Sequence, residues 1–484
     1  MTTSTPNILL IHSDQHRHDA LGASGNPHCP TPHLDALAAS GTRFTQACTP
    51  CPVCTPARAC LLTGQYPFRH RSICIPNSTE VPRAFQADGP LFPELLREAG
   101  YRNGYVGKWH VGEEAASDTK PWPTECGFDE YVPESDYARW RERDGLPPRD
   151  AGLEPEEDLG GFFAGGVDAA ITPEQSQVFY TADRTLEMLE RFSEADRPFF
   201  LRWDPSEPHI PNRIPEPYAS MVDPGSLPRW PSLDDDFATK PFIQRQQLRS
   251  WGLDEWNWED RWAQCTAWYY GHVALLDAAV GRVLDRLEAL GLAENTVVIY
   301  TSDHGDMCGS HGMMDKHYCM YDDILRVPLL VRWPGLTDAG GTVDAPVVHE
   351  IDLAATFAEI ATGKVPANMQ GRSLHGLLRG DTAPRAHAVA SYHGSQFGLF
   401  TSRSIRDAEW KYVWNLTDVD ELYELTADPW ELRNRAGDPD CAVRLRALRA
   451  ALAAELEQLG DPILNVFTRD QLTGDAKPAG GLEA

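Results

Sequence analysis

The chain alternates between apolar runs of strand length and amphipathic stretches of helix length. Residues 7–13 read NILLIHS, a nearly continuous apolar run of the kind that forms a buried parallel strand. The predicted strands cover residues 7–13, 102–106, 198–203, 296–301 and 327–331, and the predicted helices cover residues 31–40, 91–99, 174–192, 261–290 and 351–360. Strands that alternate with helices in this way predict an α/β fold.

Two long stretches between these elements show no regular pattern, and we predict that they are inserted loops rather than core. The first, at about residues 111–173, is acidic and rich in glycine and proline. The second, at about residues 211–258, contains Trp230, Trp251, Trp256 and Trp258. Tryptophans in a loop can stack on a sugar or an aromatic substrate, but packing against the body of the protein is the simpler expectation.

The pattern changes again near residue 386. Beyond it come strand-like pieces at residues 402–406 and 411–414, one helix at residues 443–459, and a loose tail. We therefore predict a large catalytic domain at residues 1–385 and a smaller α+β subdomain with a tail at residues 386–484.

Polar side chains follow the predicted strands directly. Asp14 follows the first strand, and Asp303 and His304 follow a later one. The carboxyl ends of parallel strands meet at one edge of a sheet, so these side chains can converge. Each aspartate alone is equally explained as a helix cap or turn former. Together, two carboxylates and an imidazole predict a site for a divalent cation.

Several cationic residues fall near the same predicted edge. Lys108 and His110 follow the second strand two residues apart, and His209 is held between prolines in the sequence PHIP. Lys316 lies one loop after Asp303. A single residue of this kind is more often structural than catalytic, but several cations beside a metal are suited to an oxyanion such as sulfate or phosphate.

The overall charge limits the possible partners. The chain has 43 basic and 71 acidic residues, a net charge of −28, which disfavours nucleic acid and anionic membranes as partners. No apolar run reaches the length of a membrane span. The N-terminus MTTSTP shows no basic and apolar leader, so we expect a cytoplasmic protein.

Residues 48–64, which read CTPCPVCTPARACLLTG, carry four of the eleven cysteines and allow two interpretations. Cys48, Cys51, Cys54 and Cys60 have spacings that could bind zinc or an iron–sulfur cluster. Alternatively, Cys54 is a reactive residue at the start of a helix. No second ligand group has matching spacing, and prolines flank the cysteines, so we favour the second interpretation.

The segment Cys54-Thr55-Pro56-Ala57-Arg58 followed by Leu62-Thr63-Gly64 resembles the type I sulfatase signature, C-x-P-x-R with a downstream T-G. Other matching motifs are NILLIHSDQ, GKWH, EPHIP, TSDHGD, ILRVPLLV and a C-terminal LYEL, and they occur in the expected order. The resemblance therefore covers nearly the whole chain. It implies the fold of the alkaline phosphatase superfamily, with a large mixed, mostly parallel sheet flanked by helices.

The resemblance also implies a set of roles. Residue 54, oxidised after translation to Cα-formylglycine by a maturation enzyme, would be hydrated to a diol that attacks sulfur and later helps to expel sulfate. The other implied roles are metal ligation by Asp14, Asp303 and His304 with residue 54, stabilisation of the diol by Arg58, sulfate binding by Lys108 and Lys316, protonation of the leaving alkoxide by His209, assistance by His110, and anion contact by Asn77.

The chain departs from many sulfatases at two positions. Gln15 stands where many have a second aspartate, and His304 stands where many have asparagine, so the metal motif resembles that of choline sulfatases and phosphonate monoester hydrolases. Calcium is the metal that the resemblance implies, and manganese is the alternative because the imidazole makes the site softer.

We predict a hydrolase of a small sulfate monoester, and a phosphonate monoester or phosphodiester hydrolase with the same nucleophile is the alternative. The cationic segment Lys108-Trp109-His110 favours sulfate. The resemblance implies this, because phosphonate hydrolases of the same superfamily carry neutral hydroxyl residues in the corresponding segment. A homo-oligomer is possible, and the tail beyond residue 465 could contribute to it.

Overall fold

The computed structural model describes residues 5–75, 85–112, 119–148, 165–316, 318–394 and 400–474. The strands are β1 (Asn7–Ser13), β2 (Thr42–Cys48), β3 (Arg102–Gly107), β4 (Glu130–Pro133), β5 (Gly165–Val167), β6 (Phe199–Asp204), β7 (Asn212–Ile214), β8 (Thr296–Ser302), β9 (Leu329–Arg332), β10 (Gly341–Val348), β11 (Ala388–His393), β12 (Thr401–Arg406), β13 (Trp410–Asn415) and β14 (Glu421–Glu424). The helices are α1 (Pro32–Ser40), α2 (Cys54–Thr63), α3 (Pro67–His70), α4 (Phe92–Glu98), α5 (Asp136–Arg143), α6 (Gln177–Ser193), α7 (Phe242–Ser250), α8 (Ala263–Ala289), α9 (Asp322–Leu325), α10 (His349–Thr362), α11 (Leu374–Leu378), α12 (Ala442–Leu459) and α13 (Val466–Thr473).

An eight-stranded sheet in the order β10-β2-β9-β8-β1-β6-β3-β4 forms the centre of the protein. Strand β9 is antiparallel to both of its neighbours, and the other pairings in the sheet are parallel. The prediction of a mixed, mostly parallel sheet flanked by helices is therefore confirmed.

The central strand β1 is apolar throughout because both of its faces are covered. Ile8 and Leu10 pack on one side in a cluster with residues of α2, α4 and α10. Leu9 and Ile11 point the other way and pack with residues of α1, α6 and α8. Alternate side chains of a strand face opposite sides of the sheet, so two helical layers require a continuous apolar run.

The register of the parallel strands brings the polar residues together. Ser13 at the end of β1 pairs with Ser302 at the end of β8, so Asp14 and Asp303 follow at the same level. Gly107 at the end of β3 pairs with Asp204 at the end of β6. The carboxyl edge of the sheet is thus lined by residues that are far apart in the sequence.

The first predicted insert is only partly a loop. It contains β4, which is the edge strand of the main sheet and pairs with β3, and helix α5 follows directly. The prediction that this stretch lies outside the core sheet is therefore wrong for residues 130–133. The sequence EYVP of β4 is short and half-buried, as an edge strand can be. It contains no apolar run from which a strand would be predicted.

The second predicted insert contains β7 and α7 and packs on the start of α8. Trp258 and Trp262 lie in an apolar cluster with residues of α8, and the indole nitrogen of Trp230 donates to the backbone oxygen of Cys308 over 2.8 Å. Trp230 and Trp258 therefore pack this segment against the body of the protein, as the simpler interpretation predicts.

The second sheet, β11-β12-β13-β14, is an antiparallel meander on which α12 packs. It begins at Ala388, and its apolar cluster includes Cys60 and Tyr66 of the main body. The domain boundary at residues 385/386 stays a prediction. In the described part of the chain, we find no helix that combines the length and the apolar character needed to cross a bilayer.

Candidate active site

Helix α2 places Cys54 at its first turn and Arg58 one turn later on the same side. All ten residues of this helix are buried, so it can carry an apolar sequence such as ACLLT without an exposed face. Gly64 ends the helix with φ of 69°, a left-handed conformation that glycine adopts without strain. The cysteine therefore stands at a helix N-terminus, where the backbone dipole favours a negative charge.

Arg58 is fully buried and binds three carboxylates that end or follow three different strands. Its Nη2 atom lies 2.9 Å from Oδ2 of Asp14, and its Nε atom donates to Oδ2 of Asp303 over 3.0 Å. Its Nη1 atom donates to Oδ2 of Asp204 over 2.6 Å. One guanidinium thus connects the ends of β1, β6 and β8 to helix α2.

Four side chains meet next to this arginine in a group that could hold a metal ion. One ligand atom each of Asp14, Cys54, Asp303 and His304 lies within 4.8 Å of the others, and all four residues are buried. The Nε2 atom of His304 lies 3.1 Å from Sγ of Cys54 and 3.8 Å from Oδ1 of Asp14. The Nδ1 atom of His304 contacts the carbonyl of Gly305 at 2.8 Å, which fixes the ring and turns Nε2 to the centre.

Two lysines and a histidine lie at the open side of this group. The Nζ atom of Lys108 is 2.6 Å from Oδ2 of Asp14. The Nζ atom of Lys316 is 2.9 Å from Nε2 of His209, whose Nδ1 atom contacts the carbonyl of Ile210 at 2.5 Å. The side chain of His209 is 22% exposed, whereas that of Lys316 is 2% exposed. His209 is therefore the group of this set that faces the entrance.

These cations set the protonation of the buried anions. Burial raises the pKa of Cys54, but Lys316, Lys108 and His304 outweigh it and hold that pKa well below the ordinary value of a thiol. Burial and the Cys54 thiolate raise the pKa of Asp14, but Lys108, His209 and Arg58 bring it below the ordinary range. The site therefore stabilises negative charge at the Cys54 side chain.

Two further predicted residues, His110 and Gln15, lie beside Cys54 and Lys316. His110 hydrogen-bonds the Cys54 side chain, and burial lowers the pKa of its imidazole. Gln15 accepts a hydrogen bond from Lys316 through Oε1 over 2.9 Å and donates one to Asp306 through Nε2. Gln15 thus positions Lys316 and lies outside the group that could hold a metal. Asn77 lies outside the described residues.

The family model described as Sulfatase matches residues 6–364, and the model described as N-sulphoglucosamine sulphohydrolase, C-terminal, matches residues 309–460. The chain belongs to the sulfatase family. It is 30% identical over 467 residues to an ulvan-active sulfatase of Formosa agariphila, covering 94% of this chain and 82% of that protein. It is 28% identical over 476 residues to a choline-sulfatase of Rhizobium meliloti, covering 91% and 84%.

Among solved structures, the phosphonate monoester hydrolase of Agrobacterium radiobacter superposes on this sulfatase with a TM-score of 0.78 at 27% identity. The match covers 95% of this chain and 96% of that one. The predicted family, its superfamily fold and its class, a sulfuric ester hydrolase, are confirmed by these comparisons.

Sequence analysis missed Asp204, the third carboxylate on Arg58. Its Oδ2 atom also accepts from Nη2 of Arg202 over 2.6 Å and from the hydroxyl of Tyr105 over 2.8 Å. Asp204 directly follows the predicted strand at residues 198–203, just as Asp14 follows the first predicted strand. An aspartate after a strand is equally explained as a turn former, so only the register of β6 against β1 and β3 places it at Arg58.

The four clustered cysteines of the sulfatase do not share a site among the described residues. Cys60 points to Nε2 of His70 at 3.3 Å, and Cys48 points to the backbone oxygen of Gln46 at 3.7 Å. Burial raises the pKa of Cys51 well above its ordinary value. The zinc or iron–sulfur interpretation therefore has no geometric support.

Replacing Arg58 tests whether one guanidinium organises the site. In the variant Arg58→Lys the ammonium cannot bridge three carboxylates, so we expect kcat/KM for an aryl sulfate to fall by roughly 10²–10³-fold and the free energy of unfolding to fall by about 3 kcal/mol. Steady-state kinetics and urea unfolding measure both. The control Arg202→Lys alters contacts to Asp204, His12 and the Tyr105 ring rather than to Asp14 or Asp303, so its kcat/KM should stay within about tenfold of wild type. Wild-type turnover by Arg58→Lys would contradict this role.

Proposed function

We propose that this sulfatase hydrolyses a small sulfate monoester with residue 54, matured from cysteine to Cα-formylglycine, as the nucleophile. The supporting observation is the position of Cys54, whose Sγ atom contacts His304 and Asp14 in the field of two buried lysines. In the mature enzyme this atom would be replaced by oxygen. A formylglycine-generating enzyme is therefore the proposed maturation partner.

A divalent cation would be held by Asp14, Asp303 and His304 together with residue 54. The donor set fits a cation, because Oδ2 of Asp14 is bound by Arg58 and Lys108 while its Oδ1 atom faces His304. When bound, the cation would lower the pKa of the nucleophile and polarise a sulfate oxygen. Calcium follows from the family, and manganese is the alternative that the imidazole favours.

The side chains of this site would divide the remaining tasks. Arg58 would stabilise negative charge at residue 54, and Asp303, which it binds, would accept the proton of the nucleophile. Lys108 and Lys316 would neutralise the sulfate oxygens. His209 would protonate the departing alkoxide, since it is the partly exposed imidazole at the entrance.

His110 would assist the release of sulfate from residue 54, with which its side chain is in hydrogen-bond contact. Cytoplasmic placement and the homo-oligomer remain predictions.

The maturation of residue 54 can be measured directly. Mass spectrometry of the peptide that contains Cys54, after co-expression with a maturation enzyme, should show an aldehyde or its hydrate. The variant Cys54→Ala should fold and lose at least about 10³-fold in kcat, because it lacks the proposed nucleophile. The control Cys60→Ala should keep its activity. An unmodified thiol in fully active enzyme would contradict the proposal.

A phosphonate monoester hydrolase is the second candidate, because the solved structure described above shares the fold at 27% identity. Sulfate is favoured by the number of cations beside residue 54, where Lys108, Lys316 and Arg58 are all buried. A sulfate monoester offers several oxygens to these donors, and an aryl phosphonate monoester replaces one of them with an organic group.

The two candidates predict opposite substrate rankings. We expect the matured enzyme to hydrolyse 4-nitrophenyl sulfate with a kcat/KM at least about tenfold above that for 4-nitrophenyl phenylphosphonate, because one cation loses its oxygen partner in the second compound. Release of 4-nitrophenolate reports both reactions in one assay. The reverse order would make the phosphonate hydrolase the better description.

A further inference from the structure

A cavity of about 660 Å³ opens directly beside Lys108 and His209. Lys108 and His209 line its inner end, and α5 with the following turn lines its outer end. Lys108 contacts Asp14 and His209 is partly exposed, so a group attached to a sulfate held by Lys108 would extend into this space. A cavity of this size holds an alcohol with one or two rings.

Strand register places a carboxylate in this cavity. Gly107 of β3 pairs with Pro133 of β4 on one side and with Asp204 of β6 on the other. The residues just past these positions, Lys108 and Glu134, therefore stand side by side on neighbouring parallel strands.

The carboxylate of Glu134 is held in a fixed orientation. Its Oε2 atom accepts hydrogen bonds from the hydroxyl of Ser206 and, over 3.2 Å, from Nε2 of Gln177. All three residues line the cavity. Both bonds fall on Oε2, so among the described residues none donates a hydrogen bond to Oε1, which remains for a ligand.

The one arginine among the described lining residues is already occupied. Arg141 donates to the backbone oxygen of Pro147 through Nε over 2.9 Å, contacts the hydroxyl of Tyr137 at 3.2 Å, and faces the carboxylate of Asp168 at 3.8 Å. Glu142 adds a second carboxylate to the lining. Away from Lys108 and His209, the described lining residues therefore present negative charge to a ligand.

We propose that this cavity is the leaving-group pocket and that Glu134 selects alcohols carrying hydrogen-bond donors, neutral or cationic, over alcohols carrying an anionic group. The proposal rests on the proposed function, since it assumes that the sulfate lies between Lys108 and residue 54. A donor near the reacting oxygen gains a hydrogen bond to Oε1 of Glu134, whereas an anion meets a fixed carboxylate at short range.

Three aryl sulfates test the selectivity: 3-(aminomethyl)phenyl, 3-(hydroxymethyl)phenyl and 3-(carboxymethyl)phenyl sulfate. Their phenols differ in acidity, and comparing wild type with a Glu134 variant on the same three compounds cancels that difference. Ion chromatography measures sulfate release. We expect wild-type kcat/KM for the ammonium compound to exceed that for the carboxylate compound at least about tenfold, with the hydroxymethyl compound between them.

The variant Glu134→Gln keeps the size of the side chain and its bond from Ser206 while removing the charge, so it should reduce that ratio by about tenfold. The control Glu130→Gln removes the same charge from the other end of β4, outside the cavity, and should leave the ratio unchanged.

An unchanged ratio in Glu134→Gln, or a wild-type preference for the carboxylate compound, overturns the inference while sulfatase activity remains. No sulfate release from any of the three compounds by matured wild-type enzyme contradicts the proposed function itself.

Discussion

The buried guanidinium of Arg58 is the interaction on which the arrangement of the site depends. It is enclosed by Asp14, Asp204 and Asp303, which end or follow three strands of the main sheet. A charge buried in this way is tolerated only if its partners surround it, and removing one partner typically costs about 3–5 kcal/mol. The ion-pair network therefore fixes helix α2 against the sheet edge, and with it the position of residue 54.

The same network explains how the carboxylates of Asp14 and Asp303 can bind cationic side chains and still be able to hold a metal ion. Arg58 and Lys108 hold Oδ2 of Asp14, and its Oδ1 atom is directed to Cys54 and His304. Lys108 and Lys316 lie beside His209 at the open side of the site, where they would contact a bound sulfate. Negative charge at residue 54 and on the substrate is thus matched by fixed positive groups that need no rearrangement. This distribution of charge is the physical basis for assigning oxyanion chemistry to the site.

Much of the architecture could be predicted from the sequence, because strands such as 7–13 and 296–302 are covered on both faces and must be apolar throughout. Asp14 and Asp303 can be predicted as site residues because each directly follows one of these apolar runs. The direction of β9 and the presence of β4 could not be predicted, since both strands are only four residues long and the direction of a strand depends on its neighbours in the sheet. Asp204 and Glu134 became meaningful only with the register of β3, β4 and β6, which no local pattern encodes.

Diffraction from crystals of the matured enzyme, with anomalous data collected for calcium and manganese, tests the central claim most directly. The account predicts one cation bounded by Asp14, Asp303, His304 and an oxygen of residue 54, with Arg58 still bridging the three carboxylates. A fully active enzyme with an unmodified Cys54 and no cation among these residues would contradict it.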